Sequence, residues 1–106
     1  MKAMAIAQFG GPENLQLMQL PEPRPAAGEA LVKLEYAGVN FIDVYMRSGR
    51  YARSHTYRTL LPMTLGMEGG GTVAALGEGV SGFAIGERVA YCIVRGSYAT
   101  FAAVPA

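Results

Sequence analysis

One cysteine and one histidine, Cys92 and His55, are the only thiol and imidazole in this chain, and tryptophan is absent. A lone thiol cannot close an internal disulfide, and a four-cysteine zinc site is impossible. Charge is also scarce: 16% of residues are Asp, Glu, Lys or Arg, and the net charge is +1. That balance gives no general field for nucleic acid or an anionic membrane, so neither is expected as a partner. No apolar run approaches the length of a membrane span. The opening run Met1–Ala7 ends at Gln8, too short for a signal peptide, and a cytoplasmic location is expected. Internal repeats and low-complexity tracts are missing as well.

What is present is a foldable single domain. The chain has 106 residues and is 51% hydrophobic, enough for one core and too little for two. Fourteen glycines and six prolines punctuate short apolar runs, the pattern of many brief strands. Met4 to Gln8 predicts a strand, closed by Gly10-Gly11-Pro12. Leu15 and Leu17 predict a second, with both leucines on a buried face. Pro21, Pro23 and Pro25 then hold an extended link. From Ala30 to Tyr36, the residues Ala30, Val32, Leu34 and Tyr36 share one side, while Leu31, Lys33 and Glu35 share the other. Between Asn40 and Ser48 the pattern turns helical. Asn40 is an N-cap residue, Asp43 lies in the first turn, Arg47 in the last, and Gly49 closes the helix. Residues 50 to 62 form a loop carrying Arg50, Arg53, Arg58 and His55. Further strands are expected over Thr72–Leu76, Arg88–Val94 and Ala99–Val104. The sum is a mostly β fold, a partly open barrel with one or two short helices.

Gly77-Glu78-Gly79-Val80-Ser81-Gly82 matches the glycine pattern of dinucleotide-binding turns. That motif needs a helix opening at its last glycine, and an acid about 20 residues further on for the ribose. Here Gly86 interrupts the next turn, a strand follows, and no Asp or Glu occurs after Glu87. A turn between strands is the better reading.

Three ordered segments carry a family resemblance. They are residues 36–49 (Tyr-Ala-Gly-Val-Asn-Phe-Ile-Asp-Val-Tyr-Met-Arg-Ser-Gly), 65–73 (Leu-Gly-Met-Glu-Gly-Gly-Gly-Thr-Val) and 76–89 (Leu-Gly-Glu-Gly-Val-Ser-Gly-Phe-Ala-Ile-Gly-Glu-Arg-Val). With Gly10-Gly11-Pro12-Glu13, they resemble the N-terminal GroES-like catalytic domain of medium-chain dehydrogenases/reductases. Zinc-dependent members place a cysteine where this chain has Asn40, and a histidine where it has Met67. An amide and a thioether are poor substitutes as zinc ligands, so no metal is expected. The stretch from Asn40 through Tyr45 to Tyr51 is similar to the quinone oxidoreductase, zeta-crystallin-like branch. The basic loop over Tyr51–Arg58, and Met67 beside a glycine triplet, depart from it.

The resemblance implies hydride transfer from NADPH to a quinone or similar conjugated carbonyl. It implies cofactor contacts at Asn40, Phe41, Ile42, Asp43, Val44 and Tyr45, and a quinone pocket involving Asn40, Tyr45 and Tyr51. NADPH would be held mainly by a Rossmann domain that residues 1–106 do not contain. The chain is therefore expected to be the N-terminal portion of a larger enzyme, inactive alone, with unpaired strand edges that favour a homo-oligomer. Other readings stay open: a non-catalytic GroES-like binding or assembly module, or an enoyl-type reductase domain of the same superfamily. Residue by residue, Asn40 is a cap, a cofactor neighbour, or both. Asp43 reads as a partner for the helix dipole. Glu68 is a structural carboxylate or a catalytic neighbour, and the Gly69-Gly70-Gly71 triplet permits close backbone approach. His55 reads as a solvated loop residue. The loop arginines form a solvated rim or attract a phosphate-bearing ligand. Cys92 is expected as a buried small hydrophobe.

Overall fold

A computed structural model describes residues 1–53 and 60–106. The expectations for His55 and Arg58 lie outside the described residues. Among the described residues, seven strands, one 3-10 turn and one helix follow one another in the order β1 (Lys2–Ile6), the turn (Pro12–Asn14), β2 (Gln16–Gln19), β3 (Glu29–Ala37), α1 (Phe41–Ser48), β4 (Met63–Thr64), β5 (Glu68–Leu76), β6 (Arg88–Cys92) and β7 (Phe101–Pro105). They build two antiparallel sheets, β2-β1-β4 and β6-β5-β3-β7, without closing a barrel. The expected mostly β, partly open fold is therefore what the chain adopts.

Each sheet has its own apolar core. Beneath α1, Ile6, Met46, Met63, Leu65 and Met67 are buried together, with Phe9, Leu15, Ile42, Tyr51 and Tyr98 packed around them. Val32, Ala102 and Val104 form the second cluster, against Leu34, Val89, Tyr91 and Val94. An isolated bridge between Ala3 and Ala99 joins the sheets. The Met4 N–H donates to the Tyr98 carbonyl at 2.8 Å, and the Tyr98 N–H to the Leu65 carbonyl at 2.9 Å. The segment entering β7 is thus held by both β1 and the chain beyond β4.

Several expectations shift. The first strand runs Lys2–Ile6 rather than to Gln8, and β5 begins at Glu68, four residues earlier than expected. Leu17, on the outer strand of its sheet, is exposed rather than buried, so alternation there does not mark a covered side. Tyr36 also lies open at 73% exposure, at the end of a β3 side whose earlier members Ala30 and Val32 are buried. The Gly77–Gly82 segment is a turn without a helix; Gly79 and Gly82 take left-handed φ of 79° and 89°, and the next strand is β6.

The glycine triplet is where β5 crosses β3 most closely. A Cβ on Gly71 would overlap the Lys33 carbonyl oxygen, whereas one on Gly70 would meet its nearest neighbour at an ordinary 3.5 Å. Register fixes both positions, since Gly71 pairs with Leu34 and Gly70 with Tyr36. Gly71→Ala should therefore cost about 2 kcal/mol or more through forced backbone displacement, and Gly70→Ala less than about 1. Urea unfolding midpoints of the two variants check this; equal losses would contradict the close approach.

Candidate functional site

Helix α1 is fastened at both ends. Asn40, at the N-cap with extended dihedrals, donates its backbone N–H to Asp43 Oδ2 at 3.0 Å. The same oxygen accepts the Tyr98 hydroxyl at 2.7 Å. Asp43 is only 6% exposed, so its carboxylate is taken out of water and depends on these donors. At the other end, Gly49 adopts φ 86° as the C-cap, and Arg47 Nη1 donates to the Gly10 carbonyl at 2.6 Å. The Gly10 N–H returns a bond to the Arg47 carbonyl at 3.0 Å. Asn40 and Gly49 hold the cap positions expected of them, and Asp43 stands in the first turn, where it accepts from Asn40 and Tyr98. The sequence reading missed Tyr98 and the tie to Gly10.

Two sides of the helix do different work. Asp43 and Met46 are buried against the core, and Ile42 packs beside them. Phe41 and Tyr45, four residues apart, form an aromatic row: their rings meet edge-to-face with centroids 5.1 Å apart. Tyr51 continues the row, 6.1 Å from Tyr45 at 87°. The Arg50 guanidinium lies over the Tyr45 ring at 4.9 Å. Val44 is half-buried. Of the residues singled out in sequence, Phe41, Tyr45 and Tyr51 thus come together. Asn40 and Phe41 are exposed, while Asp43 is buried and accepts from the Asn40 backbone and Tyr98.

A cleft of about 240 Å³ opens beside the helix N-terminus, lined by Asn40, Ile42, Met67, Glu68, Cys92 and Ile93. Cys92 is a correction: it is exposed, not buried. In β6 the sides alternate, and Cys92 shares the outward side with Arg88 and Ala90, while Val89 and Tyr91 turn in. Register sets it opposite Glu68. The Glu68 carboxylate lies where a side chain on Gly38 would be, so Gly38 makes room for it, and the Gly38 N–H donates to the Glu68 carbonyl at 3.1 Å. Glu68 also borders a second cleft, of about 360 Å³, shared with Tyr36, Gly69, Gly70 and Tyr91. Ile93 has φ 63°, a conformation costly for a β-branched residue, on the order of 1–3 kcal/mol. A 2.7 Å bond from its N–H to the Met67 carbonyl holds it there, and its side chain is 72% exposed at the cleft.

Zinc chemistry can be tested against these donors. The cleft offers an amide, a thioether, one carboxylate and one thiol. Among the described residues, no three His, Cys, Asp or Glu side chains converge to hold a metal ion. A tetrahedral zinc site built on thiolate and imidazole does not fit this set.

Residues 26–106 match the alcohol dehydrogenase GroES-like domain, and the chain belongs to that domain family, within the medium-chain dehydrogenase/reductase superfamily. Its relatives narrow the branch. It is 39% identical over 104 residues to the quinone oxidoreductase of Rattus norvegicus, covering 96% of this chain and 30% of that protein. The solved structure of a mycobacterial quinone oxidoreductase superposes with a TM-score of 0.88 at 40% identity, over 99% of this chain and 31% of the other. The Escherichia coli quinone oxidoreductase complexed with NADPH gives 0.88 at 34% identity, over 99% and 31%. The chain therefore spans a little under a third of the proteins it resembles.

The Asp43–Tyr98 bond has a pH signature. Burial first, and then the hydrogen bond to and repulsion from the Asp43 carboxylate, push the Tyr98 hydroxyl well above its ordinary value. Burial alone pushes Tyr91, whose buried hydroxyl has no partner among the described residues, up to about 12. Both tyrosines lose protons more readily when unfolded, near 10. Stability should hold below that pH and fall as pH rises through 10 toward 12. Tyr98→Phe should lower neutral-pH stability by about 2 kcal/mol and flatten that alkaline decline. Urea midpoints measured against pH check both; an unchanged alkaline slope in the variant would contradict the account.

Proposed function

We propose that this chain is the acceptor-side domain of an NADPH-dependent quinone oxidoreductase that works without zinc. The observation that carries it is the Phe41–Tyr45–Tyr51 row on α1 and the turn after it; the cleft at the helix N-terminus is lined by Asn40 and Ile42 and by none of the three rings. Because the rings stand edge-to-face, a flat ring would stack on one of them and meet the edge of its neighbour, and the exposed Val39, Phe41 and Ile93 supply apolar surface for it. When bound, NADPH would supply the hydride. The exposed Asn40 and Phe41, with Ile42, Val44 and Tyr45, would hold its nicotinamide, and Asp43 would serve by fixing Asn40.

The donor set supports a route that needs no metal. Reduction of a simple carbonyl concentrates charge on one oxygen, which favours a Lewis acid. A quinone spreads that charge through its ring, so hydrogen-bond donors suffice. The Asn40 amide and the Tyr45 hydroxyl are the polar contacts proposed for it, with Tyr51 lining the ring. Their work is orientation, setting the acceptor at near-attack distance.

The test uses residues 1–106 continued by a nucleotide-binding domain. NADPH oxidation with menadione should proceed about ten-fold or more faster than with a simple enone, and EDTA should leave it unchanged. Tyr45→Phe should lower the rate several-fold while the fold is kept. Loss of activity with EDTA would overturn the zinc-free mechanism; preference for the enone would favour an enoyl-type reductase. Inertness toward both would favour a non-catalytic binding module.

A further inference from the structure

Arg50 is the feature of this site that quinone reduction leaves unexplained. Its guanidinium stands 4.9 Å over Tyr45, the centre of the aromatic row, and the residue is exposed. Its backbone N–H is fixed to the Tyr45 carbonyl at 3.0 Å, so its position follows from the turn that ends α1. Among the described residues no carboxylate pairs with it. A guanidinium that rests on a ring keeps its N–H edges free, and those edges match the geometry of a carboxylate or sulfonate. A cation in this place does more than shield a ring. It sets a fixed positive charge within one side chain of wherever a second ring would stack on Phe41, Tyr45 or Tyr51.

We infer that Arg50 is a specificity residue, and that among acceptor rings the aromatic row favours one carrying a carboxylate or sulfonate over its neutral counterpart. This rests on the acceptor-site reading above. The ring would pack on the row and its oxyanion would pair with the Arg50 N–H edges. The plain alternative is that Arg50 only steadies the helix C-terminus through the dipole and the Tyr45 face. That role would affect stability and leave ligand choice alone. An oxyanion could also come from the cofactor's phosphates, and the probes below separate the two sources.

The experiment is equilibrium binding to residues 1–106, read from NMR shifts of the Phe41, Tyr45 and Tyr51 rings. The probes are naphthoate and naphthamide, which share a ring and differ in charge, with inorganic pyrophosphate as the third. Neither aromatic probe reacts with the exposed Cys92 thiol. Naphthoate should bind about five- to ten-fold more tightly than naphthamide at low salt. Arg50→Gln and high salt should each remove that gap without weakening naphthamide, and Arg50→Lys should retain part of it. Equal binding of the two probes, or a gap that survives Arg50→Gln, would overturn the inference and leave the aromatic site standing. Tighter Arg50-dependent binding of pyrophosphate than of naphthoate would assign the residue to cofactor phosphates and overturn it too. Shifts from neither aromatic probe would overturn the aromatic-site reading itself.

Discussion

Asp43 Oδ2 receives two donors from opposite directions, the Asn40 backbone N–H and the Tyr98 hydroxyl. One comes from the start of the helix, the other from the segment that enters the last strand, 55 residues away. A buried carboxylate is costly unless such donors meet it, so the bond holds both partners to one geometry. Asn40 sits where it does because Asp43 does, and Asp43 because Tyr98 does. The cleft wall formed by Asn40 and Ile42 depends on this arrangement, and so does the angle at which the aromatic row leaves the core. At the far end, Arg47 and Gly10 exchange bonds of their own, which leaves α1 little freedom to rotate.

How much of this was legible follows from the distance over which each feature is written. The helix could be read because its signals are local: Asn40, Asp43, Arg47 and Gly49 all act within a turn of their own position. The failure of the Gly77–Gly82 motif was legible for the same reason, from Gly86 and the strand behind it. Tyr98 was not legible, since nothing in its neighbours names a carboxylate so far back in the chain. The tie from Arg47 to Gly10 was hidden in the same way. β4, two residues long, offers no period to detect.

Alternation was read correctly and then overextended. It says which side chains share a side, not what covers that side. Leu17 is expected inward on alternation alone, yet it is exposed, and Tyr36 lies open although it shares a side with the buried Ala30 and Val32. Cys92 could have been placed from the same signal, because Val89 and Tyr91 mark the inward side and Cys92 falls on the other. Composition misled there: a cysteine in a strand is usually buried. The glycine triplet was legible as a close approach, and the overlap that any side chain on Gly71 would make with Lys33 is the reason for it.

Ile93 gives the cleft a property that ordinary side chains would not. Its backbone is pinned in a left-handed conformation by Met67, and a β-branched side chain there has few rotamers to choose from. This edge of the wall is therefore stiff. A bulky molecule entering from that side finds a surface that neither swings away nor reshapes itself, so exclusion at this point works by fixed bulk and tolerance for larger shapes would come from replacing the isoleucine rather than moving it.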